Sequence, residues 1–202
     1  MSECPVDRLV ALFMERKYNE EVKRLVELRP NEWYVTELTR CRQWVLFSRF
    51  YGPSKLMKPA LMLGELAHMG LQMFLAEGYG ESEVEANKQV GDYVVKGRCD
   101  AIVDGVVYEL KTCRAVPQSP LPHHVLQLRL YLWLFERQQG VLLYVAPDGV
   151  VSYNVECPLD DQQVLELIEM PESPRWPEWE CSYCEFSQYC GRAVRGERHG
   201  KR

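Results

Sequence analysis

The sequence predicts an α/β (α+β) fold. Three observations predict it: apolar residues at helical spacing up to Ala76, a β-branched and aromatic stretch from Ser82 to Thr112, and an apolar helix followed by a second strand pair. The 202 residues, 47% hydrophobic and 26% charged, suit one globular domain with room for a small appended module.

Residues 6 to 29 read as an amphipathic helix. Leu9, Phe13, Val22, Leu25 and Val26 recur on one face, and Pro30 ends it. A second helix is expected over Val35 to Phe50, with Asn31 to Glu37 leading in and Gly52-Pro53 stopping it. A third covers about Ala60 to Ala76 and ends near Gly78. From Ser82 to Thr112 the pattern becomes an antiparallel meander, turning at Gly91-Asp92 and Asp104-Gly105. Residues 122 to 139 form a helix that is apolar almost all round and therefore buried. Val141 to Ala146 and Val150 to Val155 pair around Pro147-Asp148-Gly149, and a short helix follows from Asp160 to Ile168. The remaining chain is rich in Pro and Trp, then in Cys, then basic. The expected organisation is 1–59 as an N-terminal helical region, 60–170 as the core, and 171–202 as a cysteine-rich segment with a basic tail.

The formal net charge of -5 argues against a polybasic protein, so any contact with nucleic acid must use local patches. Met1-Ser2-Glu3-Cys4-Pro5 lacks the basic start and apolar run of a signal peptide, and no apolar run is long enough to span a membrane. The expected location is the cytoplasm. The eight cysteines then favour metal binding, with disulfides as the alternative.

The segment from Gly97 to Lys111 carries the chemistry. If Asp104-Gly105 is a two-residue turn, Val103 faces Val106, Ile102 faces Val107, Ala101 faces Tyr108, Asp100 faces Glu109, and Arg98 faces Lys111. Asp100, Glu109 and Lys111 then share one side of the hairpin, and Cys99, Ala101 and Leu110 the other. Opposed carboxylates, with β-carbons roughly 5 Å apart, repel each other. A hard divalent cation relieves that repulsion, and a lysine beside it can position water for attack on a phosphodiester. The alternative is a solvated sheet face neutralised by Arg98 and Lys111. Gly64, His68, Leu71 and Leu75 lie with Leu61 on one helical face, where His68 is either a hydrogen-bonded core residue or a metal ligand. Gln127 and Tyr131 stand one turn apart on the buried helix, where Gln127 needs a polar partner.

Gly-x-x-x-His, Gly-Arg-x-Asp, Glu-x-Lys and Gln-x-x-x-Tyr, in that order from Gly64 to Tyr131, resemble the RecB-like branch of the PD-(D/E)xK nuclease superfamily. The resemblance implies a mixed sheet flanked by helices. It implies Mg²⁺ or Mn²⁺ held by His68, Asp100, Glu109 and the carbonyl of Leu110, with Lys111 as the catalytic lysine. It casts Gln127 and Tyr131 as shaping the site or the DNA path.

Cys181-x-x-Cys184-x₅-Cys190 can wrap one soft metal centre, with a fourth ligand from elsewhere. Cys4, Cys41, Cys99, Cys113 and Cys157 are the candidates, and Cys41 is preferred. Spacing alone leaves zinc and iron–sulfur both open. One cysteine before the nuclease core and this trio after it resemble the iron–sulfur members of the branch. In a chain this short they resemble the CRISPR-associated exonucleases, the fourth of the Cas protein families. That resemblance implies an iron–sulfur cluster on Cys41, Cys181, Cys184 and Cys190, [4Fe–4S] before [2Fe–2S]. It implies 5′ to 3′ cleavage of single-stranded DNA in spacer acquisition for antiviral defence, with CRISPR integrase proteins as partners and a homo-oligomer as a further possibility. The alternatives are a non-catalytic DNA-binding scaffold and the nuclease subunit of a recombination helicase–nuclease.

Arg40, Arg42, Arg49, Lys55 and Lys58 lie among Trp33, Tyr34, Trp44, Phe47, Phe50 and Tyr51. This pattern suits either single-stranded DNA or a core helix with solvated arginines. The tail, with Arg192, Arg195, Arg198, Lys201 and Arg202, is a second basic patch.

Overall fold

The turn at Asp104-Gly105 decides the centre of the molecule. A computed structural model describes residues 5–53 and 59–194. Asp104 and Gly105 both take positive φ, 49° and 80°, which matches a tight hairpin turn. In chain order the elements are α1 (Pro5–Val26), β1 (Glu32–Tyr34), α2 (Val35–Leu38), α3 (Arg42–Tyr51) and α4 (Pro59–Ala76). The strands β2 (Glu81–Val90), β3 (Tyr93–Val103) and β4 (Val106–Thr112) follow. Then come α5 (Pro122–Leu134), β5 (Gln139–Ala146), β6 (Gly149–Glu156), α6 (Asp161–Glu169) and α7 (Glu180–Tyr183).

The six strands form one mixed sheet, flanked by helices. β1–β3 and β4–β5 are parallel, and β2–β3, β3–β4 and β5–β6 antiparallel. Along one edge β3 pairs with β2 from Tyr93 to Ile102. Its other edge is shared: β1 takes Val94 to Lys96, and β4 takes Ala101 to Val103. Gly97 to Asp100 are left without a strand partner on that edge. The sheet therefore splits there, and side chains fill the split.

α5 closes the split from above. Its run from Gln127 to Leu134 is buried apart from Arg129, because Leu128, Leu130, Leu132 and Leu134 pack with Val95, Cys99, Val107 and Leu142 of the sheet. Gly97 permits this approach: a Cβ there would stand 2.7 Å from Leu134 and 2.9 Å from Tyr131. The glycine of the Gly-Arg-x-Asp motif thus has a packing reason.

The structure changes three expectations. The helix expected over Val35 to Phe50 is two helices broken at Thr39–Cys41. Thr39 Oγ1 donates to the Thr36 carbonyl at 3.0 Å, and the Cys41 N–H turns away to the Glu180 carboxylate. The helix expected to reach residue 139 stops at Leu134, since Glu136 adopts φ 55° and the Arg137 N–H closes back on the Leu132 carbonyl at 2.9 Å. Glu32–Tyr34, expected as a lead-in, is a strand. Among the described residues no helix is long and apolar enough to cross a membrane.

Candidate active site

The hairpin register holds for Val103↔Val106, Ile102↔Val107 and Ala101↔Tyr108, and then the ladder ends. Asp100 and Glu109 are not paired across it. Instead the Leu110 N–H donates to Asp100 Oδ2 at 2.7 Å, so a carboxylate takes the place of a backbone acceptor. Asp100 Oδ1 accepts from Gln72 Nε2 at 3.3 Å and lies 3.5 Å from His68 Nδ1. The bond to Asp100 raises the His68 pKa above its ordinary value, against the opposing effect of burial. His68 and Gln72 stand one turn apart on α4, so one helix face presents both.

Glu109 is 3% exposed. Burial pushes its carboxyl up to about 7, with the positive charge of Lys111 acting against that rise. Lys111 Nζ donates to Glu109 Oε1 at 2.6 Å and to Gln127 Oε1 at 2.9 Å. Gln127 Nε2 in turn donates to the Tyr131 hydroxyl at 3.4 Å, and burial raises the Tyr131 pKa well above the ordinary range. The polar partner that buried Gln127 requires is therefore Lys111, not sheet backbone.

Glu109 Oε2 is buried with no hydrogen-bond partner. An unpartnered buried carboxylate oxygen is costly, and a hard cation with oxygen preference would satisfy it. The donor set of His68, Asp100 and Glu109 thus fits such an ion in chemistry. Among the described residues, though, no three His, Cys, Asp or Glu side chains are gathered as a ready coordination shell. Lys111 and the Leu110 N–H occupy carboxylate oxygens that an ion would compete for.

The second group lies at the other end of the chain. Cys41, Cys181, Cys184 and Cys190 line one small cavity, with Trp44 and Phe47 on its wall. Burial pushes the Cys184 thiol up to about 11, with Cys41 and Cys181 adding to it. The described cysteines are all free. Cys99 is buried beneath α5, while Cys113 and Cys157 lie outside this cavity, and Cys4 is outside the described residues.

The arginine and aromatic patch is partly internal: Trp33 is buried, Tyr34, Arg42, Trp44, Phe47 and Arg49 are half-buried, and Arg40 is exposed. Arg42 and Arg49 lie over the Trp33 ring at 4.0 and 4.3 Å, and Arg49 bridges Glu37 at 2.7 Å. Trp33 is buried and cannot stack on a base, whereas Phe50 and Tyr51 are exposed. Lys55 and Lys58, and the tail from Arg195 on, lie outside the described residues. Sequence reasoning missed Gln72, although its four-residue spacing from His68 was a usable signal. It also missed Glu180 and the pair His123 and His124. Burial, with the charge of Lys111 adding to it, depresses both imidazoles, to about 4 and about 2.

A split mixed sheet with two acids and a lysine at the split defines a class of metal-dependent nucleases, and comparison with known proteins agrees. The family model described as the PD-(D/E)XK nuclease superfamily matches residues 14–191, so the chain belongs to that superfamily. Over 172 residues the chain is 35% identical to the CRISPR-associated exonuclease Cas4 of Saccharolobus solfataricus, covering 79% of this chain and 84% of that protein. The chain is a member of this family of CRISPR-associated nucleases. The crystal structure of SSO0001 superposes with a TM-score of 0.79 at 34% identity, covering 92% of this chain and 98% of that one. The structure of LHK-Exo in complex with dAMP, 15% identical, shares the fold with a TM-score of 0.51 over 74% of this chain and 87% of that one.

Proposed function

We propose that this chain is a Mg²⁺- or Mn²⁺-dependent exodeoxyribonuclease that trims single-stranded DNA ends, 5′ to 3′, during CRISPR spacer acquisition. The observation that carries the reading is the buried, unpartnered Oε2 of Glu109 beside Asp100 and Lys111. His68, Asp100, Glu109 and the Leu110 carbonyl are the residues that would hold the ion. Such an ion, when bound, makes a nucleophile of water near neutral pH and draws charge from a phosphoryl oxygen. Lys111 has two of its three N–H donors engaged by Glu109 and Gln127, which leaves one for a water or a phosphate oxygen. Gln127 holds Lys111 in place, and Tyr131 holds Gln127. The exonuclease name of the 35% identical relative supports an activity on DNA ends. The polarity, the role in antiviral defence, a homo-oligomeric state and partnership with CRISPR integrase proteins rest on the motif resemblance.

In the same reading the four cysteines bind one iron–sulfur cluster, of the [4Fe–4S] type, that ties 1–59 to 171–202 across the nuclease core of 60–170. Four thiols on one cavity support it, since thiolates suit iron–sulfur centres.

The test is degradation of 5′- and 3′-labelled single-stranded and duplex oligonucleotides with Mn²⁺, with Mg²⁺ and with chelator. Cleavage is expected only with metal, from the 5′ end of single strands. Parental cleavage in chelator would contradict the proposal.

A further inference from the structure

The Cys41 backbone and the cysteine trio meet at one buried side chain. Glu180 is 8% exposed, and three backbone N–H groups converge on its carboxylate. Cys41 donates to Oε1, while Arg175 and Trp176 donate to Oε2 at 2.9 and 3.1 Å. Charge-assisted bonds of this kind are the stronger ones, and here they satisfy both oxygens of a carboxylate removed from water. Glu180 also immediately precedes Cys181. The residue that grips the backbone of the N-terminal cysteine therefore sits next to the first thiol of the C-terminal trio.

The grip explains the helix break. Cys41 occupies the extended position before α3, with its N–H committed to Glu180. Four further contacts hold the same strap: Trp176 Nε1 donates to the Thr39 carbonyl at 2.8 Å, the Gln43 N–H donates to Ser173 Oγ at 3.3 Å, the Arg42 N–H donates to the Glu172 carbonyl at 3.5 Å, and Ser173 Oγ lies 3.2 Å from Cys41 Sγ. None of the four comes from a residue next to the trio, as Glu180 does.

We propose that Glu180 is the positioning residue of the four-cysteine centre, setting Cys41 against Cys181 through backbone hydrogen bonds; this rests on the four thiols sharing one iron–sulfur cluster. It acts through the placement of the ligands, not by touching the cluster. A glutamine at this position keeps the volume but only one acceptor oxygen, so whichever way the amide faces its NH₂ meets an N–H, either of Cys41 or of Arg175 and Trp176. Alanine removes all three acceptor contacts.

The experiment uses the full chain, purified anaerobically, as parent, Glu180→Gln and Glu180→Ala. Iron and sulfide content, the EPR spectrum after dithionite reduction and the rate of iron release to a chelator are measured. Glu180→Gln should keep the parental far-UV circular dichroism and release iron about tenfold faster, with an altered EPR signal. Glu180→Ala should release it faster still, and if that variant does not fold, the glutamine variant decides. A parental release rate and parental EPR signal in Glu180→Gln would overturn the role, even with a lower melting temperature, which is all that a merely structural contact predicts. A parent without iron and sulfide would instead remove the cluster reading, and the positioning role with it.

Discussion

The acidic centre takes its side chains from the continuous stretch between His68 and Tyr131, on two strands and the two helices that flank them. The cysteine cavity joins Cys41 to a trio that begins at Cys181, so residues 42–180 lie between its halves. The acidic centre is also electrostatically incomplete, with a buried carboxyl pushed up to about 7 and one oxygen unpartnered. Around the cysteines both oxygens of the buried Glu180 carboxylate accept hydrogen bonds and the Cys41 N–H is used, while the buried Arg175 Nε has no partner. The contrast teaches how each site spends its polar groups. One leaves a buried carboxylate oxygen unpartnered, and the other uses its polar groups to bring distant parts of the chain together.

If that contrast is right, damage to the acidic centre should cost activity and spare the fold. Asp100→Ala and Glu109→Ala should each reduce DNA cleavage to background, the largest effect expected, while circular dichroism stays parental. Lys111→Ala should lower turnover about 10²- to 10³-fold, as loss of an aligned charge donor does, and still bind Mn²⁺ in a calorimetric titration. Damage to the cysteine cavity should act in the reverse order. Cys41→Ser should lose iron and melt at a lower temperature, because a link between distant segments stabilises most when it closes a long loop. Cys113→Ser and Cys157→Ser should change neither iron content nor melting temperature.

The smallest expected effect concerns pH. The folded Glu109 carboxyl, at about 7, stands above its ordinary value of 4.5. Between those values the folded state binds more protons than the unfolded, so this group's contribution to stability falls as pH rises from 4.5 to 7 and levels off above. Metal-free Glu109→Gln should therefore melt above the parent beyond pH 7, with the gap closing as the pH drops toward 4.5. Thermal melts across that range check it.

The hairpin was legible in the sequence because its cause is local. Asp104-Gly105 sets the turn, and the turn sets the register through Ala101↔Tyr108. The register then fails at Asp100 because a side chain, not a strand, answers the Leu110 N–H. Strand alternation survives that opening, and the two-residue spacing still brings Lys111 Nζ to Glu109 Oε1. β1 was not legible: Glu32-Trp33-Tyr34 has no turn signal, and its partners Val94 to Lys96 are remote in sequence. Nor was the break before α3, whose cause is Glu180, far along the chain. The cysteine trio was plain from spacing, while the placing of Cys41 beside it depends on a contact that no periodicity reports.

The central claim is that the unpartnered oxygen of Glu109 awaits a divalent cation. Calorimetric titration of Mn²⁺ into the chain without DNA tests it most directly, comparing the parent with Glu109→Gln. The glutamine keeps the shape and removes the charge. Saturable Mn²⁺ binding is expected in the parent, and binding at least about tenfold weaker in the variant. Equal affinity in the two proteins would contradict it.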